Sequence, residues 1–180
     1  MLKRYTALFM VLALAWVMGC SSRRVIEEKT LDANALKSAS DYYVRPITFS
    51  FKPPADWEIE PSKWNEWKNS WEKDFNEEIR NECYKSVKFV GSDSAVQSGV
   101  VVTCDVYDMD KGGWAGWGGV GWARASIVMK DAASGKVLYE GKLQGDGSNS
   151  GFESNTVGGR LKFGIINVAR QIADLAETGN

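Results

Sequence analysis

The sequence contains no histidine, and this absence excludes several kinds of site. Serine and cysteine hydrolases that rely on a histidine base are excluded, as are zinc sites built on imidazole ligands. An excess of one charge is also lacking, since 22 basic residues face 23 acidic ones and the formal net charge is −1. A surface without a basic excess does not attract nucleic acid, so we expect no nucleic-acid partner.

What is present fits a folded domain behind a secretory leader. Two basic residues precede an uncharged, mostly apolar run over residues 6–18, shorter than the ~20 residues that a membrane-spanning helix needs. The run ends in Val17-Met18-Gly19-Cys20. This ending resembles the lipobox of bacterial lipoproteins, and the resemblance implies cleavage after Gly19 and lipid attachment at Cys20. The alternative is an ordinary signal peptide with an incidental cysteine.

The same resemblance implies a location, while the polar residues 21–40 and the length of the mature chain predict a domain organisation. Several acyl chains on Cys20 would anchor the protein firmly, because one chain alone binds membranes only marginally. Ser21 follows the cysteine, and by the resemblance this favours the outer membrane, facing the periplasm. We expect residues 1–19 to be cleaved, 20–40 to form a lipidated flexible tether and 41–180 to form a single α+β periplasmic domain.

Hydrophobic periodicity predicts an α+β fold with two amphipathic helices, over residues 61–84 and 159–177. Five strands are predicted at 42–51, 87–90, 99–109, 122–130 and 136–143. The order β-α-β-β-β-β-α favours a two-layer sandwich, in which two helices cover one face of a mainly antiparallel sheet. The apolar stripe of the first helix consists of Trp64, Trp67, Trp71, Phe75, Ile79 and Cys83. We interpret this stripe as core rather than as a membrane-contacting face.

Two turn motifs resemble those of an uncharacterised family of bacterial envelope lipoproteins. Gly116-Trp-Gly-Gly-Val-Gly121 precedes a predicted strand, and Asp131-Ala-Ala-Ser-Gly-Lys-Val-Leu138 follows it. The family is known only as a domain of unknown function. The resemblance covers residues 42–177, implies an envelope lipoprotein and supplies no catalytic residues.

No pattern predicts catalytic residues, a metal site or a cofactor. Gly116, Gly118 and Gly121 match G-x-G-x-x-G, but a strand is predicted to follow instead of the helix that a dinucleotide site needs. A calcium loop starting at Asp108 would have Gly119 at its twelfth position, where a glutamate is required. Paired carboxylates, as in glycoside hydrolases, are not excluded by composition.

Residues 112–122 read GGWAGWGGVGW and join two predicted strands by a connection longer than a tight hairpin needs. Its glycines predict mobility, while Trp114 and Trp117 offer large contact surfaces. We interpret the segment as a flap that contacts a partner or the membrane, with Trp122 and Arg124 included in the candidate partner-binding site. The alternative is that Trp114 and Trp117 pack back onto the sheet.

The two cysteines of the mature domain are predicted to form a disulfide. Cys83 ends the apolar stripe of the first helix, and Cys104 lies on the inward face of the strand over 99–109. An exported chain meets an oxidising compartment, where a bridge closing this loop would contribute ~3 kcal/mol. Two buried free thiols are the alternative.

The function predicted from these patterns is a non-enzymatic binding or assembly module of the cell envelope. It would be anchored through Cys20 to the periplasmic face of the outer membrane, with an envelope protein as partner and no cofactor. Two alternatives stay open: a small periplasmic hydrolase that uses carboxylates, and an oligomerising lipoprotein that inserts Gly/Trp hairpins into the membrane.

Overall fold

The computed structural model describes residues 24–92, 94–113, 120–147 and 156–179. Helices and strands are mixed along these ranges. In chain order the elements are β1 (Arg24–Thr30), α1 (Ala33–Ser38), β2 (Asp41–Val44), β3 (Thr48–Phe49), a 3-10 turn (Ala55–Trp57), α2 (Pro61–Glu82), β4 (Ser86–Phe89), β5 (Val100–Asp110), β6 (Trp122–Asp131), β7 (Val137–Asp146) and α3 (Val157–Thr178).

The strands of these ranges form one open, seven-stranded sheet in the order β1-β7-β6-β5-β2-β4. The pairs β1–β7, β7–β6 and β6–β5 are antiparallel, whereas β2 runs parallel to both β5 and β4. Strand β3 pairs with β5 beyond the end of β2, because Pro46 between them has no N–H to donate to the ladder. The predicted α+β fold class is confirmed, and the parallel part of the sheet was not predicted.

The buried side of the sheet shows the alternation that the sequence predicts. On β6, Ala123, Ala125, Ile127 and Met129 are fully buried, and the residues between them are only half-buried. Helix α3 packs on β6 and β7 and also against α2, so the two long helices share one face. No helix within the described ranges is both long and apolar enough to cross a membrane.

The tryptophan stripe of α2 belongs to the core, as predicted. Pro61 stands at the first helical position, where its missing N–H is not needed. Trp64 and Trp71 are buried and meet edge to face at 5.4 Å between ring centroids. The ring of Phe49 on β3 packs against both. Trp67 is half-buried at the edge of this cluster.

The flexible tether expected over residues 20–40 is wrong for the described residues of that stretch. Residues Arg24–Thr30 form strand β1, which pairs with β7, and α1 follows with Leu36 fully buried. This strand has no apolar alternation to predict it, because it lies at the edge of the sheet. There its charged side chains form ion pairs with the neighbouring strand instead of burying apolar surface. Glu27 on β1 bonds Lys142 on β7 at 2.6 Å.

The predicted Cys83–Cys104 disulfide is also corrected, since both residues are buried free cysteines. Cys83 is the C-cap residue that follows α2, and its thiol donates to a carboxylate oxygen of Glu177 at 3.4 Å. Cys104 lies in the middle of β5, paired with Ile127. The two residues lie in the same layer of the fold, as predicted, but Cys83 contacts Glu177 and Cys104 pairs with Ile127.

Candidate functional site

The face of the sheet opposite α2 and α3, called the outer face here, carries polar and aromatic side chains at the end where β6 begins. On β6 these are the residues between the buried ones, beginning with Trp122 and Arg124. The neighbouring strands β5 and β7 add Tyr107, Asp108 and Lys142. Trp122 and Arg124, the two described members of the predicted binding site, therefore both lie on this face.

A chain of hydrogen bonds crosses four strands of the outer face. Arg124 on β6 lies at its centre: Nη1 donates to Asp108 Oδ2 on β5 at 3.2 Å, and Nε donates to Gln144 Oε1 on β7 at 2.9 Å. Gln144 Nε2 donates in turn to Asp146 Oδ1 at 2.8 Å. Asp146 pairs with Arg24 on β1 at 3.3 Å. We call these five residues the cross-strand network.

Two aromatic side chains border the network. The guanidinium carbon of Arg124 lies 4.1 Å from the ring centroid of Trp122, a cation–π contact. Burial raises the pKa of Tyr107, and nearby Arg124 and Lys142 oppose that rise. Tryptophan, tyrosine and arginine are the residue types most enriched among the energetically dominant residues of protein interfaces.

A bulge in β5 brings two residues to Arg124. The pairing register shifts between Val106 and Asp108, so that Asp108 faces Arg124 and Tyr107 is the extra residue. A bulge bends its strand and re-aims the side chains there, and such irregularities are common beside functional sites. The sequence pattern does not show the bulge, which explains why Tyr107 and Asp108 were not predicted as site residues.

The charges of this region balance. Arg24, Arg124 and Lys142 carry positive charge, and Glu27, Asp108 and Asp146 carry negative charge. Hydrogen bonding to Lys142 and its positive charge lower the pKa of the Glu27 carboxyl. A balanced surface with fixed charge positions suits a polar partner with complementary charges better than it suits a polyanion.

The predicted flap is anchored at its first end. Arg160 at the start of α3 donates from Nε to the Lys111 carbonyl at 2.7 Å, and Asp110 accepts the Gly112 N–H at 2.6 Å. Trp114 and Trp117 lie outside the described residues, as does Cys20. The structure therefore brings together Trp122 and Arg124, while the other three predicted residues stay predictions.

The described residues offer no group of three or more cysteine or carboxylate side chains placed to hold a metal ion. The aspartates near the end of β5 have separate partners. Asp105 accepts from the Thr48 hydroxyl at 2.7 Å, Asp108 pairs with Arg124, and Asp110 holds the Gly112 amide. These carboxylates serve local structure and the network rather than a common ligand position.

Comparison with known proteins gives only distant similarities. No protein-family model matches the chain. No curated protein matches it either.

Among solved structures, a PelC dodecamer from Paraburkholderia phytofirmans is 13% identical with a TM-score of 0.43, covering 83% of this chain and 96% of that one. A hypothetical protein from Chlamydia trachomatis is 11% identical with a TM-score of 0.40, covering 77% and 97%. A Xanthomonas campestris protein of family DUF330 is 9% identical with a TM-score of 0.49, covering 79% and 87%. The neighbours thus include proteins of uncharacterised families, and at these values they carry no conclusion about function.

Proposed function

We propose that this protein is a non-enzymatic lipoprotein of the cell envelope that binds another envelope protein through the outer face of its sheet. Lipid on Cys20 would hold it at the periplasmic face of the outer membrane. The observation that carries the binding proposal is the cross-strand network, with Trp122 stacked on Arg124 and Tyr107 beside it.

The network is suited to binding because its side chains are already ordered. Arg124 is held by Asp108 and Gln144, and both of these lie on strands that flank β6. Ordering a long side chain during association opposes binding by about 0.5–1.5 kcal/mol, and a side chain fixed beforehand avoids most of that penalty. A partner would therefore meet a surface that needs little rearrangement.

The chemistry of the described residues supports binding over catalysis. Burial raises the pKa of both Cys83 and Cys104, which keeps the thiols protonated and poor as nucleophiles. The carboxyl groups with shifted pKa values are all shifted downward by hydrogen bonds and nearby lysines or turn groups, as at Glu27 and Asp131. Such carboxylates are weak bases and cannot donate a proton near neutral pH.

The anchor is tested by replacing the proposed lipid-attachment residue. We expect Cys20→Ser to remove acyl label and to move the protein from the membrane fraction to the soluble periplasmic fraction. Wild-type protein that sediments with membranes without incorporating label would contradict a lipid anchor at Cys20.

The partner is tested by cross-linking in the native envelope. A photoreactive phenylalanine analogue at Ser126, which lies on the outer face beside the network, should give a specific adduct identified by mass spectrometry. Arg124→Ala should abolish the adduct while lowering unfolding stability by no more than about 2 kcal/mol, since the ion pair with Asp108 is partly exposed and the buried Gln144 loses one donor.

A matched variant on the helical face provides the control. Lys63→Ala removes an exposed ion pair with Glu66 on α2, and we expect it to leave the adduct unchanged. Equal adduct yield from wild type and Arg124→Ala would overturn the network as the binding surface. Adducts only between copies of this chain would replace the proposed partner by self-association.

A further inference from the structure

A second feature of the outer face lies away from the cross-strand network. It is a cavity of about 260 Å³ over the first half of β5 and the second half of β6. Its floor is formed by two cross-strand pairs, Val101 with Lys130 and Thr103 with Val128. Val128 is four residues from Arg124 along β6, roughly 13 Å, so the cavity and the network are separate.

Positively charged groups dominate the cavity. Lys130 is exposed and has neither a hydrogen bond nor an ion pair with any described residue. On the opposite wall, the guanidinium of Arg45 donates from Nη1 to the Ser92 carbonyl, while its buried Nε has no acceptor among the described residues. The Lys130 ammonium has donor capacity for an anionic ligand that the described fold does not use, and Arg45 adds a second positive charge to the lining.

The one carboxylate in the lining is already engaged. Asp131 accepts the backbone N–H of Ser134 at 2.8 Å and also the Ser134 hydroxyl, which closes the β6–β7 turn. These donors are neutral, so Asp131 keeps its negative charge, and the lining holds two cations against one carboxylate, a net charge of one positive unit. An anion would be attracted into the space between the two walls.

Apart from Gly135 and Thr103, whose hydroxyl donates to the Val128 carbonyl at 3.3 Å, the remaining lining is aliphatic. Val96, Val101, Val128 and Ala132 present methyl groups, and none of the described lining residues is aromatic. A sugar or a base would find no ring to stack on, whereas a short hydrocarbon chain would be covered. The volume lies below the ~300–1,000 Å³ of sites for drug-sized ligands, so the occupant is small.

We propose that this cavity binds a small aliphatic carboxylic acid. Its carboxylate lies between Lys130 and Arg45, and its hydrocarbon part lies on Val101 and Val128. The proposal does not depend on the protein partner or on the lipid anchor, because no residue of the network lines the cavity.

The test is a calorimetric titration of the purified full chain with isovalerate, its neutral isostere isovaleramide, and inorganic phosphate. We expect isovalerate to bind at least tenfold more tightly than isovaleramide, since only the acid carries the charge. Phosphate should bind more weakly than isovalerate because it gains nothing from the aliphatic floor.

Variants locate the site. Lys130→Gln should weaken isovalerate binding at least fivefold without affecting the fold, since the side chain is exposed. The control is Lys142→Gln, which removes a lysine of the same face that pairs with Glu27 instead, and binding should be unchanged. Equal affinity for acid and amide, tighter binding of phosphate, or full binding by Lys130→Gln would each overturn the proposal.

Discussion

The phenol of Tyr42 is a buried polar group that joins α1 to α3. Its hydroxyl donates to the Leu36 carbonyl at 2.6 Å and lies 3.2 Å from the Ala176 carbonyl. Tyr42→Phe leaves these buried carbonyls without that donor, which should lower the free energy of unfolding by about 1–2 kcal/mol in a urea titration.

Two measurements check this assignment. Among the described residues the neighbouring hydroxyl of Tyr43 accepts a hydrogen bond from the Lys88 ammonium alone, at 3.4 Å, so Tyr43→Phe should change stability by less than about 0.5 kcal/mol. Burial also raises the pKa of Tyr42 above its ordinary value of 10.0. Unfolding releases that proton above pH ~10, so the stability advantage of wild type over Tyr42→Phe should shrink as pH rises further. Equal effects of the two variants would contradict the assigned role.

The two cysteines should behave as inert thiols. Burial raises the pKa of Cys83 and of Cys104, so iodoacetamide should label neither side chain appreciably in the native protein at pH 8. Unfolding in urea without reductant should make both fully reactive, as read by peptide mass mapping. A linked pair of peptides that separates only after reduction would restore the disulfide that the sequence predicted.

At the scale of elements, α3 touches the sheet backbone to backbone at two glycines. A Cβ on Gly145 of β7 would lie 1.9 Å from the Gly164 carbonyl oxygen of α3. Gly145→Ala therefore has to push the helix away from the sheet, which should destabilise the protein by about 3 kcal/mol in chemical denaturation.

A surface glycine provides the comparison for that variant. A Cβ on Gly91 would lie 3.3 Å from Ser94 Oγ, a side chain that can move aside. Gly91→Ala should alter stability by less than about 0.5 kcal/mol. If Gly145→Ala changed the stability as little as Gly91→Ala does, α3 would not approach β7 as closely as described.

The elements that the sequence predicts well are those with a regular buried face. The Trp71 and Ile79 stripe identifies α2, and the alternation through Ile127 identifies β6, because burial repeats at the helix or strand period. Strand β1 has no such repeat, since only Val25 and Thr30 along it are even half-buried. The parallel pairing of β2 with β4 depends on α2 crossing over between them, which is a property of packing rather than of either strand.

The difference between local sequence patterns and tertiary packing also explains which residues of the candidate site the sequence predicts. Trp122 and Arg124 were identified because they open a clearly alternating strand next to the glycine-rich segment. The partners of Arg124 depend on strand order and on the β5 bulge. Neither is visible in local sequence, so Asp108 and Gln144 were missed.

At the scale of the whole molecule, exposed ion pairs tie the edges of the fold together. Lys142 on β7 bonds Glu27, Lys136 bonds Asp32, and Lys88 on β4 bonds Asp41; each bond lowers the pKa of its carboxyl group. A lowered pKa contributes stability above the unfolded value of about 4, and this is lost as pH falls through the folded value.

We therefore expect the urea midpoint to fall as pH is lowered from 5 to 2.5, and to fall less in 0.5 M NaCl because salt screens exposed pairs. Glu27→Gln should show a smaller decrease than wild type, since one of the titrating groups is removed. Midpoints that stay constant over this range would show that these pairs do not form in solution.

Strand β1 also sets how far the molecule can stand from a membrane. Arg24 opens β1 and follows Cys20 by four residues, a length of chain that spans at most about 14 Å when fully extended. A lipid on Cys20 would thus keep the sheet close to the membrane, with the end that carries Arg24 and Trp122 nearest the bilayer. The β6–β7 turn lies at the other end of the strands, roughly 33 Å farther from the bilayer. The network would then lie close to the lipid surface. The cavity would lie farther out and face the periplasm.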